Sequence, residues 1–262
     1  MGVRLTRVVG KPGLPDLDPF LMLDEFRSDD SADYIGGFPD HPHRGFETIT
    51  YMLAGRMRHS DNQGNSGVLG PGSVQWMTAG RGIVHSEMPE QQDGLMWGFQ
   101  LWLNLPAREK MTAPKYKDIA VDEMPSVKVS DGVAVKIIAG RIGNHVGPVT
   151  SASTDPTYFD VALAPGASFT HALPENYAAF VYVFDGDARI GDAQAAEPLK
   201  RNEVAVLTDG GSATVAAGDK PTRVLLAAGR PLNEPIAKYG PFVMNTEAEL
   251  MQAVADYQAG RF

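Results

Sequence analysis

The chain has 262 residues, of which 43% are hydrophobic, so it is long enough for one large domain or two small ones. It contains no cysteine, which excludes disulfides, thiol nucleophiles, iron–sulfur clusters and cysteine-bound zinc. The net charge of −9 argues against direct binding of nucleic acid, because proteins that bind it gather Lys and Arg on one face. No apolar run approaches the ~18 residues of a membrane span, and the N-terminus lacks a signal-peptide pattern. We therefore expect a cytoplasmic protein that binds no membrane.

Short apolar segments separated by glycine and proline predict an all-β protein. The 28 glycines and 19 prolines are spread between these segments as turn residues. Residues 97–105 alternate between apolar and polar positions, which is typical of a strand with one buried face. Comparable segments predict further strands at Glu47–Leu53, Val133–Ala139, Tyr158–Ala164, Ala179–Phe184, Glu203–Leu207 and Thr222–Ala228. Antiparallel sheets that close into barrels are the architecture that this pattern favours.

The pattern also predicts two halves. Residues 106–130 contain Pro106, Pro114 and Pro125 among many charges, so this stretch is interpreted as a connection. A glycine-led turn followed by a histidine opens each half, near residue 36 and again near residue 166. We therefore predict an N-terminal domain of residues 1–125 and a C-terminal domain of residues 126–262.

One helix is predicted at the C-terminus. Thr246 and Glu249 have the spacing of a capping box, in which each side chain accepts from an otherwise unpaired backbone N–H. An apolar stripe follows at Leu250, Met251, Val254 and Tyr257, and Gly260 is suited to the position just beyond the helix. This helix is expected to pack on a barrel.

The histidines indicate a metal site. His41 and His43 are two residues apart, as are His85 and Glu87, and on a strand such pairs point to one face about 6.6 Å apart along the chain. Two pairs on neighbouring strands would offer three imidazoles and one carboxylate, a set suited to Fe(II), Mn(II), Ni(II), Co(II) or Cu(II). Pro42 removes a backbone donor, so the first pair is expected at a strand start or on an edge strand.

Other polar residues have simpler interpretations. His59 and Asp61 share the ligand spacing, but their polar surroundings favour a loop or rim. Arg81 either faces an anionic substrate or closes a turn. Trp76, Met77 and Met52 are interpreted as core residues, with the lining of an aromatic-substrate pocket as the alternative. A solvated position is expected for His145, and a surface or hydrogen-bonded one for His171.

Two long motifs match one protein family. Residues 37–48 read G-F-P-D-H-P-H-R-G-F-E-T, and residues 75–89 read Q-W-M-T-A-G-R-G-I-V-H-S-E-M-P. Both closely resemble the signatures of the pirin family, as do L-D-P-F and L-D-E-F within residues 17–26 and Y-G-P-F-V-M-N-T at residues 239–246. The resemblance runs nearly from end to end.

Pirins are bicupins, so the resemblance implies two tandem cupin β-barrels with one metal in the N-terminal barrel. Carried over by motif, the metal ligands would be His41, His43, His85 and Glu87. Glu47 stands where the wider cupin pattern often has a ligand, but the pirin pattern leaves it beside the metal. His171 lacks a second histidine at ligand spacing, so the second barrel is expected to hold no metal.

Some pirins cleave flavonols, so the resemblance implies a metal-dependent dioxygenase that acts on a flavonol such as quercetin with O₂. One divalent transition metal would serve as cofactor, with Fe(II) expected and Cu, Ni, Co or Mn as alternatives. Glu87 would be the base that takes the proton from the substrate hydroxyl.

Two other functions stay open. Pirins are also described as partners of transcription factors or metabolic enzymes, which implies a non-enzymatic iron-binding regulator that acts through a protein partner. A metal that serves only as a Lewis acid would instead support an isomerisation that is independent of O₂. The width of the pocket at the metal distinguishes the dioxygenase from the regulator, because a dioxygenase needs a pocket wide enough for its substrate and a regulator does not.

Overall fold

A computed structural model describes residues 2–192, 195–208 and 210–262. Within them the chain divides into two compact units. One comprises the residues up to Val121 together with Leu232–Phe262, and the other comprises Asp122–Pro231. Short 3₁₀ helices lie at Ser31–Asp33, Ala107–Glu109 and Val121–Glu123. No helix of the described part is long and apolar enough to cross a membrane.

The first unit contains two antiparallel sheets. Its first ten strands are β1 (Leu5–Val9), β2 (Phe20–Ser28), β3 (Phe38–His43), β4 (Phe46–Ala54), β5 (Met57–Asp61), β6 (Ser66–Leu69), β7 (Val74–Thr78), β8 (Ile83–Pro89), β9 (Met96–Asn104) and β10 (Lys115–Ile119). One sheet has the order β1-β2-β9-β4-β7-β10 and the other has the order β3-β8-β5-β6. Hydrogen bonds between side chains of the two sheets cross the interior, so the sheets face each other as the walls of one barrel.

The second unit repeats this plan. Its strands are β11 (Ser126–Ser130), β12 (Val133–Ala139), β13 (Arg141–Ile142), β14 (His145–Val146), β15 (Thr157–Leu163), β16 (Ser168–Ala172), β17 (Ala178–Asp185), β18 (Ala188–Ile190), β19 (Glu197–Leu199), β20 (Val204–Leu207), β21 (Ser212–Ala217) and β22 (Thr222–Gly229). They form sheets of order β11-β12-β15-β22-β17-β20 and β16-β21-β18-β19, with a small β13-β14 hairpin. Its core is one apolar cluster that includes Val135, Phe159, Val181 and Leu226, each fully buried.

The C-terminal segment returns to the first unit. It contains β23 (Ala237–Tyr239), β24 (Phe242–Met244) and α1 (Glu247–Gln258). Phe242 forms a parallel bridge with Arg44, the residue after the last histidine of β3. The predicted C-terminal domain of residues 126–262 includes this segment. Its contacts instead group it with the barrel that carries β3 and β8.

The helix forms as its sequence predicts. Thr246 accepts from the backbone N–H of Glu249, and the Glu249 carboxylate accepts from the backbone N–H of Thr246, so both halves of the capping box are present. Gly260 has a φ of +66°, the conformation that favours glycine just after a helix. The apolar stripe is only partly correct: Leu250 is buried, but Met251 is 71% exposed.

All seven strands predicted from alternation and turns are present within one or two residues of their expected bounds. Residues 106–130 contain the change from the first unit to the second, between Val121 and Asp122, as expected of a connection. They also contain two strands that the sequence did not predict, β10 and β11, and β10 pairs with β7 along Lys115–Ile119. A hydrophilic edge strand shows little apolar alternation, so its backbone pairing was not visible in the sequence.

A buried ion pair fastens α1 to the end of β3. Arg44 is 3% exposed, and its Nη1 donates to Asp256 Oδ2 at 2.7 Å. The guanidinium also lies over the ring of Phe262, 4.3 Å from its centroid. Arg261 is the second, more exposed partner of Asp256, at 2.6 Å.

Asp256→Ala is expected to lower the free energy of unfolding by up to about 3 kcal/mol, because the buried Arg44 loses the carboxylate that balances its charge. The matched control Arg261→Ala removes the exposed partner and is expected to cost less than about 1 kcal/mol. Hydrogen bonds from Arg44 and Arg261 hold the pKa of Asp256 below its usual range, so this stabilisation is lost progressively as the pH falls below about 4. Urea unfolding at pH 7 and pH 3 checks both points. An Asp256→Ala effect of the same size at both pH values would contradict them.

Candidate metal centre

Three imidazoles meet on the four-stranded sheet of the first unit. His41 and His43 lie on β3, and His85 lies on the neighbouring β8, where it is paired directly with His41. Each ring offers one nitrogen, and the three nitrogens all lie within 4.8 Å of one another. β3 is an edge strand, so Pro42 is accommodated as the sequence analysis expected.

The donor set fits a metal cation. His43 is 2% exposed and His85 is 1% exposed, and the two ring nitrogens of His85 have no hydrogen-bond partner among the residues that the structure describes. A buried polar atom without a partner costs about 1–3 kcal/mol, so a cluster of such nitrogens is expected where they bind an ion. A metal needs the unprotonated form of imidazole.

Burial keeps these imidazoles neutral. It lowers the pKa of His85 to about 4. Burial, together with the neighbouring His85 and His41 rings, also holds the pKa of His43 well below its ordinary value. Both rings are therefore in the metal-binding form at pH 7.

His41 is oriented by the backbone. Its Nδ1 lies 2.8 Å from the carbonyl oxygen of Pro39, and because a carbonyl can only accept, Nδ1 carries the proton. Nε2 is then the nitrogen with a free lone pair, and this contact fixes the ring as second-shell hydrogen bonds do in metal sites. His41 is half-buried whereas the other two rings are buried, so the cluster meets solvent at His41.

Glu87 lies beside the cluster. It is 2% exposed, and its two oxygens lie 3.1 and 2.9 Å from Gln100 Nε2, which donates to them. The hydroxyl of Thr50 donates to the same carboxylate at 3.3 Å. In the described part of the chain, no carboxylate oxygen joins the three imidazole nitrogens within 4.8 Å. Glu87 as a fourth ligand stays a prediction.

Aromatic side chains enclose His43. Its ring centroid lies 5.1 Å from that of Phe46 and 5.2 Å from that of Trp102, and the Phe46 and Trp102 rings stack at 4.2 Å. Glycine is required at residue 45 because φ is +90° there. A Cβ added at this position would lie only 1.9 Å from the carbonyl oxygen of Val243. An apolar wall of this kind limits the access of water to a metal.

Glu47 and Arg81 lie outside the cluster. Glu47 is buried on β4, where its carboxylate accepts from the Thr78 hydroxyl at 2.8 Å and from Trp76 Nε1 at 3.2 Å. Arg81 is exposed in a turn, and its carbonyl oxygen accepts from Arg44 Nε at 2.5 Å. Of the two interpretations of Arg81, the structure supports the turn.

Three apolar residues and two histidines lie as their simpler interpretations expected. Met52 and Met77 are fully buried, and Trp76 is half-buried. His145 is exposed on β14 of the second unit. His171 is half-buried, with its ring 4.9 Å from that of a phenylalanine on β15.

The expectation of a loop or rim position is wrong for His59. It lies on β5, is 3% exposed, and places Nε2 2.7 Å from Asp118 Oδ2. Asp61 ends the same strand and is half-buried. The polar, glycine-containing stretch after Asp61 is the turn of the β5–β6 hairpin, so composition was correct for the turn and misleading for the strand before it.

Three interior residues were not singled out from the sequence. Gln75 and Gln100 are polar residues within otherwise apolar strands, and that contrast is a usable signal of an interior polar contact. Asp118 carried no such signal, because its strand was interpreted as a connection.

Comparisons with known proteins decide the family. A family model described as Pirin matches residues 2–103, and one described as Pirin C-terminal cupin domain matches residues 158–262. A pirin-like protein of Caulobacter vibrioides is 51% identical over 269 residues, which is 100% of this chain and 93% of the relative. The chain belongs to the pirin family.

Two further relatives have the same extent. Human pirin is 43% identical over 260 residues, covering 98% of this chain and 87% of its own length. The crystal structure of a quercetin 2,3-dioxygenase from Acinetobacter baumannii superposes with a TM-score of 0.91 and 35% identity, covering 100% of this chain and 92% of that one. The prediction of an all-β pirin with two cupin barrels and a C-terminal helix is confirmed.

Proposed function

We propose that this pirin is a metal-dependent dioxygenase that cleaves a flavonol such as quercetin, taking up O₂ and releasing carbon monoxide. One observation carries the proposal: three imidazoles, two of them almost fully buried, place one nitrogen each within 4.8 Å of the others and lie next to the buried carboxylate of Glu87. Similarity to a quercetin 2,3-dioxygenase over the whole chain supports this choice among metal reactions. A cytoplasmic location is part of the proposal.

The proposed ligands are His41, His43, His85 and Glu87. When bound, a divalent transition metal supplies positions for a substrate oxygen and O₂ and the redox chemistry of ring cleavage; we propose Fe(II), with Cu, Ni, Co and Mn as alternatives. The three histidines hold this ion through neutral nitrogens. The stacked rings of Phe46 and Trp102 pack against His43 and would limit the access of water to a bound ion.

Glu87 is the proposed base. Its carboxylate takes the proton of the flavonol hydroxyl that binds beside it, and holds that proton at one of its oxygens until product leaves. Gln100 donates to both oxygens at 3.1 and 2.9 Å, so it orients the carboxylate without supplying a charge. Thr50 adds a third donor from the same sheet.

A quercetin-depletion assay in air tests the proposal, on protein loaded in parallel with Fe(II), Cu(II), Ni(II), Co(II) or Mn(II). Turnover that requires metal and O₂ and releases carbon monoxide supports it. Turnover that continues without O₂ would instead indicate an isomerisation. Stoichiometric metal binding without any turnover would favour the regulator.

A specific observation keeps the iron-binding regulator as a second candidate. Two of the three imidazoles are almost fully buried, and only His41 meets solvent. This burial suits a metal that would act through the conformation of the surrounding protein without contacting a large substrate. The predicted partner would be a protein, since an acidic chain of this charge does not favour nucleic acid.

Gln100→Leu is expected to reduce flavonol turnover about tenfold while metal content stays near one ion per chain, because Glu87 loses the donor that contacts both of its oxygens and keeps only the Thr50 hydroxyl. Steady-state kinetics and metal analysis measure the two quantities. The matched control is Gln258→Leu on the exposed side of α1, which should change neither. Loss of the metal from Gln100→Leu would show that Gln100 supports the ion itself and not the base.

A further inference from the structure

A layer of polar side chains runs from the interior of the first barrel, beside the metal centre, to Asp118 on the edge strand β10, whose side chain is 41% exposed. Cross-strand pairing places the members of this layer next to one another: Gln100 with Thr50, Thr50 with Gln75 and Gln75 with Asp118 on one sheet, and Glu87 with His59 on the other. At one end of the layer, Gln100 and Thr50 bind the carboxylate of Glu87. The other end is not used by the proposed mechanism.

Asp118 organises that other end. Its Oδ2 lies 2.7 Å from His59 Nε2, and its Oδ1 accepts from Gln75 Nε2 at 3.0 Å. Burial opposes ionisation of Asp118, but the hydrogen bonds from His59 and Gln75 outweigh it and keep the pKa of Asp118 below its usual value. The carboxylate is therefore ionised at pH 7 and can only accept.

This contact determines what His59 and Gln75 present to the interior. Because Asp118 only accepts, Nε2 of His59 carries a proton, and in the neutral ring Nδ1 is then an acceptor. Gln75 uses its amide nitrogen on Asp118, so its Oε1 is an acceptor as well. Both atoms are buried, on side chains that are 3% and 0% exposed, and neither has a partner in the described ranges.

The chain is built to allow this arrangement. Gly67 on β6 is paired with His59, and an ideal Cβ there would lie 2.4 Å from His59 Nε2 and 2.3 Å from Asp118 Oδ2. A side chain at residue 67 would therefore displace one of the two. Glycine at this position permits the close contact of imidazole and carboxylate.

A cavity of about 400 Å³ adjoins the group. His59 and Asp118 line it, together with Asp61, Tyr116 and Ile83. None of the three clustered histidines lines this cavity, but two residues that do line it are paired with them across the strands: Asp61 with His85 and Ile83 with His43. Its volume is sufficient for a single substituted aromatic ring.

We propose that His59 and Gln75, oriented by Asp118, form a subsite that accepts hydrogen bonds from a hydroxyl group of an aromatic ligand. His59 and Gln75 both contact the Asp118 carboxylate, and each leaves one acceptor without a partner in the described ranges. Such acceptors match a donor group, and a hydroxyl on a ring is the donor that a flavonol carries. The proposal rests on the proposed function for its ligand class. His59 and Gln75 are binding residues in it, and Asp118 is a positioning residue.

Equilibrium binding without O₂ tests the subsite, because no turnover is then required. The probes are quercetin and 3-hydroxyflavone, which share the 3-hydroxyl and the 4-keto group but differ in the other hydroxyls. The metal-loaded protein is expected to bind quercetin at least about tenfold more tightly, as for one hydrogen bond to a buried acceptor. Asp118→Asn and Gln75→Met should each bring this preference to within about threefold.

Asp61→Asn is the matched control. It changes a carboxylate that lines the same cavity but makes no hydrogen bond to His59 or Gln75, so the preference should persist. Nitrogen-15 NMR of His59 adds a readout that general destabilisation would not move. The wild-type ring should show a protonated Nε2, and Asp118→Asn should populate the Nδ1-protonated form, because an amide can donate to Nε2.

The outcomes separate the two proposals. An unchanged preference in Asp118→Asn and Gln75→Met overturns the subsite, whether or not quercetin is cleaved in air. Binding of neither flavonol also overturns it. A preference that the variants abolish, in a protein that cleaves no flavonol in air, supports the subsite and contradicts the dioxygenase.

Discussion

His85→Ala is expected to empty the metal centre while both barrels stay folded. The substitution removes one of three nitrogens that lie within 4.8 Å of one another. Loss of a ligand should weaken metal affinity by more than the 10- to 100-fold that is typical for loss of an outer-shell partner. Metal analysis after dialysis should therefore give about one ion per chain for the wild type and nearly none for the variant.

The same variant has a distinctive stability signature. Wild-type protein gains about 2.7 kcal/mol when free metal is at 100 times its dissociation constant, and the variant should gain none. Without metal the two proteins should unfold at similar temperatures, because the variant loses packing but also loses a buried imidazole whose nitrogens have no described partner.

His171→Ala is the matched control for both measurements. His171 is a half-buried histidine on β16 of the second unit, outside the three-histidine cluster. Its removal should leave metal content and the metal-dependent gain in stability unchanged. Full occupancy in His85→Ala would remove the basis for the proposed centre.

Glu87→Gln is expected to reduce flavonol turnover by about 10²–10⁴-fold, the usual contribution of a positioned base. The amide has nearly the same shape, keeps one oxygen for Gln100 or a metal, and cannot take a proton. Anaerobic quercetin binding should therefore change much less than turnover, which separates loss of the base from loss of the site. Stopped-flow measurement of a single turnover gives the rate directly.

Glu47→Gln provides the comparison for this variant. Glu47 is also a buried carboxylate, 3% exposed, but it binds Thr78 and Trp76 away from the histidines. Its substitution is expected to affect stability and to leave turnover within about twofold. Equal losses of turnover in the two variants would mean that Glu87 acts through the fold and not as a base.

Much of the scaffold and of the metal centre could be predicted because the signals are local. Strand alternation has a period of two residues, so residues 97–105 predict a strand without any knowledge of the strands that pair with it. The same period places His41 and His43 on one face. The same spacing relates His85 to Glu87, and the family motifs predict both at this site; the structure brings His85 to it.

The interior polar layer could not be predicted, because its members are far apart along the chain. Asp118 lies in a strand of sequence K-Y-K-D-I, which is nearly all polar and becomes a strand only by pairing with β7. His59 lies 59 residues from Asp118, and Gln75 lies 43 residues from it. Their contact depends on the register of three strands, and a shift of one residue would turn each side chain to the opposite face.

By itself, the sequence determined an acidic, cysteine-free, all-β pirin with two barrels, a capped C-terminal helix and a histidine cluster, because composition, alternation and contiguous motifs are properties of neighbouring residues. Only the tertiary structure decided which unit holds the C-terminal helix, that Gln100 and Thr50 hold Glu87, and that Asp118 orients His59 and Gln75. Those contacts arise where two sheets face each other, and hydrogen bonds across a barrel depend on packing that no local pattern specifies.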